Sequence, residues 1–190
     1  SVPYALSELE NLESLYISCN HELLDFVYDL ESLKSLEIFW NEADHLDEKI
    51  GNLTNLETLI LSVNQIETLP KSLEKLNKLK TLELNSQNNM KILPPVIGEL
   101  SSLENLYVRS IPDFPFVVLE ELPKEIGKLS NLKTLVIECS KLKTIPKEMA
   151  NLKNLEKLHL DGDFNEAEKE RIKKMFPNVK DISFHKVSDY

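Results

Sequence analysis

Glycine is scarce in this chain of 190 residues, which holds only four. That shortage leaves no GxGxxG or GxxxxGK segment, so neither glycine loop that cradles a nucleotide phosphate is available. Cysteine is scarcer still, with Cys19 and Cys139 alone. No apolar run reaches about 18 residues, the length that suggests a bilayer-spanning helix. Basic residues are outnumbered, 22 Lys and Arg against 32 Asp and Glu, for a formal charge of −10. Affinity for nucleic acid comes mostly from Lys and Arg displacing counterions from phosphates, so no nucleic-acid partner is expected. What the chain has in quantity is 42% hydrophobic and 28% charged residues, the balance of a folded domain and not of a disordered tail.

The aliphatic residues recur at a fixed long period. One pattern restarts at Leu9, Leu30, Leu53, Leu76, Leu100, Leu129, Leu152 and Phe176, at spacings of 21, 23, 23, 24, 29, 23 and 24 residues. Each restart reads LxxLxxLxLxx(N). The regular copies continue into an x-L-P-x-x-I-x-x-L return, with Leu69-Pro70, Leu93-Pro94 and Leu122-Pro123 as clear cases and Ile145-Pro146 as a variant. A period in this range is the signature of a repeat array. The L-x-L segment alternates as a strand does, one side chain inward and the next outward. Parallel strands need a crossover, and the proline-led return supplies it. One turn cannot bury its own leucines, but stacked turns bury them against each other. Two inward files follow: Leu15, Leu36, Leu59, Leu82, Leu106, Leu135, Leu158 and Ile182, then Ile17, Ile38, Leu61, Leu84, Val108, Ile137, Leu160 and Phe184.

These motifs, over nearly the whole chain, resemble the leucine-rich repeat family in its 23-residue class of bacterial and intracellular proteins. The resemblance implies an α/β fold: a curved, right-handed solenoid of about eight repeats. It would carry a parallel sheet on the concave face and short helices and turns on the convex face. It also implies protein recognition without catalysis or cofactor. The family's asparagine position holds Asn20, Asn41 and Asn64, where a buried amide satisfies backbone groups in the turn. It drifts to Gln87, Ile111, Ser140 and Asp163 further on. Cys19 and Cys139 fall in one file five turns apart, on the order of 20 Å or more at sheet spacing, which leaves them free thiols. The cysteine clusters that cap many extracellular animal members are absent. Both points lean toward a cytoplasmic setting, with a bacterial surface or secretion as the alternative if an upstream signal was removed.

Residues 1–190 are expected to form one repeat domain. Residues 2–9, VPYALSEL, align with LPKSLEKL at 69–76, so 1–8 reads as the return leg of an upstream turn or an atypical first half-turn. Over 164–190 the proline return gives way to a helix at 165–175, whose Asn165 and Glu168 have capping-box spacing. A last strand and a polar cap follow. The 29-residue turn inserts SIPDFPFVVLEELP at 110–123, apolar enough that it is expected to fold back on the solenoid's flank instead of forming a docking ridge.

The register also fixes the outward files. After the second frame aliphatic stand Glu13, Lys34, Glu57, Lys80, Glu104, Lys133, Glu156 and Lys180, alternating in sign at each step. An acid between two bases is favoured and like neighbours repel, so this file is expected to fix register and aid solubility. The next file reads Tyr16, Glu37, Ile60, Glu83, Tyr107, Val136, His159, Ser183. The one after it reads Ser18, Phe39, Ser62, Asn85, Arg109, Glu138, Asp161, His185. A third carries Trp40 and Val63. Exposed apolar groups rimmed by charge mark interaction surfaces, and Trp, Tyr and Arg dominate binding hot spots. The expected contact surface is therefore Tyr16, Phe39, Trp40, Ile60 and Val63, extended by Glu37, Glu83, Tyr107 and Arg109. Local packing of Phe39 and Trp40 is the competing reading.

Asp161, His185, His159 and Glu138 could orient a general base or bind a metal. No nucleophile motif accompanies them, and an open sheet face excludes little water. His45 among the acids of 41–48 reads as a solvated rim. The expectation is thus a non-enzyme with no metal and no cofactor, taking a protein partner whose identity the sequence does not give. The alternatives are a surface-displayed structural or adhesive array, self-association through an exposed edge strand, and a metal-binding or hydrolytic site around Asp161 and His185.

Overall fold

The computed structural model describes residues 9, 11–18, 25–39, 45–62, 65–85, 89–109, 119–138 and 141–185. Eight strands, β1 (Ser14–Ser18), β2 (Ser35–Phe39), β3 (Thr58–Ser62), β4 (Thr81–Asn85), β5 (Asn105–Arg109), β6 (Thr134–Ile137), β7 (Lys157–Asp161) and β8 (Asp181–His185), form one sheet. They lie in sequence order and every pairing is parallel. The leucine-rich repeat solenoid read from the sequence is the architecture observed.

Each strand holds two inward apolar side chains, and in β2 to β7 these are at most 3% exposed. Leu15 and Ile17 of β1, and Ile182 and Phe184 of β8, are only partly covered. Those strands end the sheet and have a described neighbour on one side only. Just before each strand, one carbonyl accepts two bonds from the next turn: Glu57 O takes the N–H of Lys80 at 2.8 Å and of Thr81 at 3.0 Å. The same pattern recurs at Glu13, Lys34, Lys80, Glu104 and Lys133. The turns are thereby joined by backbone as well as by leucine.

The returns are short 3-10 helices at Glu48–Asn52, Lys71–Lys75, Pro95–Glu99, Lys124–Lys128 and Lys147–Asn151. Pro70, Pro94, Pro123 and Pro146 occupy the position before the last four. Proline has no N–H to extend a ladder, and its fixed φ suits the entry to a helical turn. Leu73, Ile97, Ile126 and Met149 then close the core from the convex side, all fully buried.

The long turn rejoins the array at Leu119, where the N–H of Glu120 donates to Lys91 O at 2.7 Å and Ile92 pairs with Glu121. Leu119 and Leu122 are buried; residues 110–118 of the insertion lie outside the described residues. The expected helix is α1, Glu166–Met175, and the Asn165 side chain accepts from the Glu168 N–H. The reciprocal half of the capping box gives way to another arrangement. The Glu168 carboxylate instead accepts from Thr144 Oγ1 at 2.8 Å, from the Ile145 N–H at 3.3 Å, and from Arg171. Several donors, two of them on a guanidinium, outcompete the single N–H of Asn165.

Candidate functional site: the outward face of the sheet

Strand alternation puts Tyr16, Glu37, Ile60, Glu83, Tyr107, Val136, His159 and Ser183 in one file, paired residue by residue as the sequence frame requires. The second file runs Ser18, Phe39, Ser62, Asn85, Arg109, and again Asp161 opposite His185. Trp40 and Val63, together with Cys19, Cys139 and the asparagines at 20, 41 and 64, lie outside the described residues.

Two aromatic platforms stand on this face. Tyr16 is 61% exposed, and its ring lies roughly parallel to that of Phe39, with centroids 6.5 Å apart and planes at 26°. Four strands along, the guanidinium of Arg109 sits 3.9 Å from the Tyr107 ring centroid, with Nη1 3.8 Å from Glu83 Oε2. Ring and carboxylate together hold that cation in place. Between the platforms the face is quieter: Ser62 and Asn85 are buried, and Asn85 Nδ2 donates to Ser62 Oγ at 3.3 Å. Beyond them Val136, though outward, is only 4% exposed. It lies between Tyr107 and His159 in register on the flanking strands.

The charged file resolves into pairs. Lys34 reaches Glu13 at 2.6 Å, Lys80 reaches Glu57 at 2.7 Å and Lys133 reaches Glu104 at 2.7 Å. Each of these three lysines closes on the acid of the preceding turn, where the sequence placed every acid evenly between two bases. The bond to its lysine holds the carboxyls of Glu57 and Glu104 below the usual range, and the same bonds raise the three lysines.

At the C-terminal end, His159 Nε2 lies 2.9 Å from Asp161 Oδ1, and His185 Nδ1 is 3.5 Å from the same oxygen. His159 Nδ1 is 2.7 Å from Ser183 Oγ. Glu138 does not join this group, and neither does His45.

One layer of side chains that ties the turns together escaped the sequence reading. Asn55, Asn131 and Asn154 donate side-chain amides to Glu31 O, Ser101 O and Ser130 O on preceding turns, at 2.9, 2.8 and 2.7 Å. Ser32 and Ser102 do the same through hydroxyls, to Leu12 O and Asn77 O. The signal was present as Asn or Ser directly before the second frame aliphatic in all turns but the one with Lys78.

Comparison with known proteins agrees with the fold. Residues 2–121 match the profile of a leucine-rich repeat region. An adenylate cyclase of Schizosaccharomyces pombe is 32% identical over 157 residues, covering 74% of this chain and 9% of that protein. A putative disease resistance protein of Arabidopsis thaliana is 32% identical over 162 residues, covering 74% of this chain and 13% of that one. The chain therefore spans only a small part of the length of these relatives. Among solved structures, a plant peptide hormone receptor, RGFR1 in complex with RGF2, superposes with a TM-score of 0.61 at 21% identity. The match covers 97% of this chain and 34% of the receptor. This chain belongs to the leucine-rich repeat family, whose members serve in general as protein-interaction modules. Among the described residues no helix is long and apolar enough to cross a membrane.

Proposed function

We propose that this chain is a non-catalytic recognition module that takes a protein partner on the outward, concave face of its sheet. The observation that carries the reading is Tyr16: a large aromatic ring, 61% exposed, set against Phe39 on the next strand. A tyrosine with few rotors offers much contact area at low entropic cost when it is already supported. Arg109 over Tyr107 is a second prearranged group of the type that dominates hot spots. The two platforms are four strand steps apart, about 19 Å at sheet spacing, a span that suits a protein surface better than a small molecule. Ile60 stands between them, with Glu37 and Glu83 supplying charge. Trp40 and Val63 belong to the same anchor by sequence register. A receptor of this fold is known in complex with RGF2, which supports the use of such a scaffold for recognition. The activity of the cyclase relative is taken to reside in the 91% of it that the match leaves uncovered.

The test is site-specific photo-crosslinking in cells of the source organism. A benzoylphenylalanine replacing Tyr16 or Tyr107 is expected to trap one common protein adduct. The same group replacing Glu74, on a convex 3-10 helix, is expected to trap none. Against the trapped protein, once purified, Tyr16→Ala should lower affinity about tenfold or more. Identical adducts from position 74, or none from 16 and 107, would reject a concave recognition face and favour the structural array.

A further inference from the structure

His159, Asp161 and His185 each offer one ligand atom, and all three atoms lie within 4.8 Å of one another. We propose that they form a binding site for a divalent transition ion of the zinc class. The sequence reading favoured no metal and kept a metal site around Asp161 and His185 as an alternative; the side-chain geometry is what favours that alternative.

The ligand set follows from the strand geometry. His159 and Asp161 are two apart on β7, so both project from the outward face. His185 on β8 is the direct register partner of Asp161. Its carbonyl accepts the Gly162 N–H at 3.0 Å, which ties the end of β8 to β7 where the ligands converge. Zinc binds imidazole nitrogen and carboxylate oxygen at about 2.0–2.2 Å. Tetrahedral ligands are then about 3.4 Å apart. The separations from Asp161 Oδ1 are 2.9 Å to His159 Nε2 and 3.5 Å to His185 Nδ1, on either side of that value. Closing the third edge needs a modest rotation of His185, whose side chain is 69% exposed and free to make it. The side chains of His159 and Asp161 are each 13% exposed, so two of the three ligands are already held.

The outer shell fits too. Ser183, opposite His159 on β8, engages His159 Nδ1 at 2.7 Å. A bound ion needs the imidazole to present one bare nitrogen while the other is hydrogen-bonded. Ser183 fills that role and leaves Nε2 for the metal. Two imidazoles and one carboxylate favour zinc, nickel or cobalt over magnesium, which prefers an all-oxygen octahedron. Three protein ligands leave a fourth position open toward the solvent side of the sheet. The bound ion would bridge β7 and β8 and brace that pair of strands.

Isothermal titration of the purified, metal-free chain with zinc chloride tests this. One zinc per chain is expected, with no binding of magnesium. His185→Ala should weaken zinc at least about tenfold, Ser183→Ala by a comparable factor, and His45→Ala not at all. His185 is exposed, so its replacement should leave the fold intact, as circular dichroism would confirm. A readout without substitution accompanies it: zinc should shift the imidazole NMR signals of His159 and His185 in the unaltered chain and leave those of His21 and His45 in place. If zinc does not bind, or binds with His185→Ala as in the unaltered chain, or perturbs neither imidazole, the site does not exist.

Discussion

The Nζ of Lys80 lies 2.7 Å from Oε2 of Glu57 on the preceding turn, and the same step joins Lys133 to Glu104. Both partners are solvated, so each pair contributes little alone; their effect is on register. Reversing one sign exposes it. Lys80→Glu sets an acid between Glu57 and Glu104, and Lys133→Glu sets one between Glu104 and Glu156. The double variant is expected to melt several degrees lower at low salt, with the deficit shrinking as added salt shortens the Debye length. The lowered carboxyls contribute stability present above the unfolded acid value and lost as pH falls through the folded one. The raised lysines contribute below 10.5 and lose it as pH climbs past their folded values. The deficit should therefore be constant near neutrality. Thermal melts over a salt series check this, and a melting temperature unmoved at every salt concentration would rule out a role for the file.

Glu168 gives a sharper pH dependence. Bonds from Arg171 first, then from Thr144 and the Ile145 N–H, hold its carboxyl at about 2 against an ordinary 4.5. Its side chain is 14% exposed, so solvent screens these bonds only in part. A depressed acid stabilises the fold above its unfolded value, and that contribution drains away between about 4.5 and 2 as the carboxylate takes a proton. Glu168→Gln keeps the shape and removes the charge, and should cost about 1–3 kcal/mol at neutral pH. Below 4.5 the gap between variant and unaltered chain should narrow steadily. Urea unfolding at pH 7, 4 and 3 measures it, and a gap that stays constant with pH would show that the charge of Glu168 is not what joins α1 to the preceding turn.

The repeat frame was legible because register follows from period alone. Once Leu59 faces in, Ile60 must face out, and the strand pairings reproduce such assignments within the strands. What each outward side chain does is decided by neighbours of particular size on adjoining strands, and period does not carry that. Val136 belongs to an outward file and is nonetheless covered, while Ile92, in the proline-led return, is 51% exposed. The lysines close on one acid instead of sharing two, because a short hydrogen bond needs a single rotamer. The Asp161 cluster was legible as a set of residue types. Its choice of His159 over Glu138, and the support from Ser183, depend on side-chain directions that no spacing rule encodes.

The return segments stack closely enough to make glycine a requirement at one point in particular. Gly127, fully buried in the 3-10 helix Lys124–Lys128, packs against the next return so that an added methyl would run into the carbonyl oxygen of Glu148 and its Cβ. The obstruction is backbone, which cannot swing aside as the tip of a long side chain would. Gly127→Ala is therefore expected to destabilise the fold by about 1–3 kcal/mol through overpacking. That outweighs the fraction of a kcal/mol that alanine gains by restricting the unfolded chain. An exposed change on the same helix, Lys128→Ala, removes only a solvated pair with Glu99 and should leave stability nearly unchanged. Chemical denaturation of the two variants beside the unaltered chain separates the effects. Equal stability for Gly127→Ala would mean that consecutive returns are spaced more widely than their backbone contacts indicate.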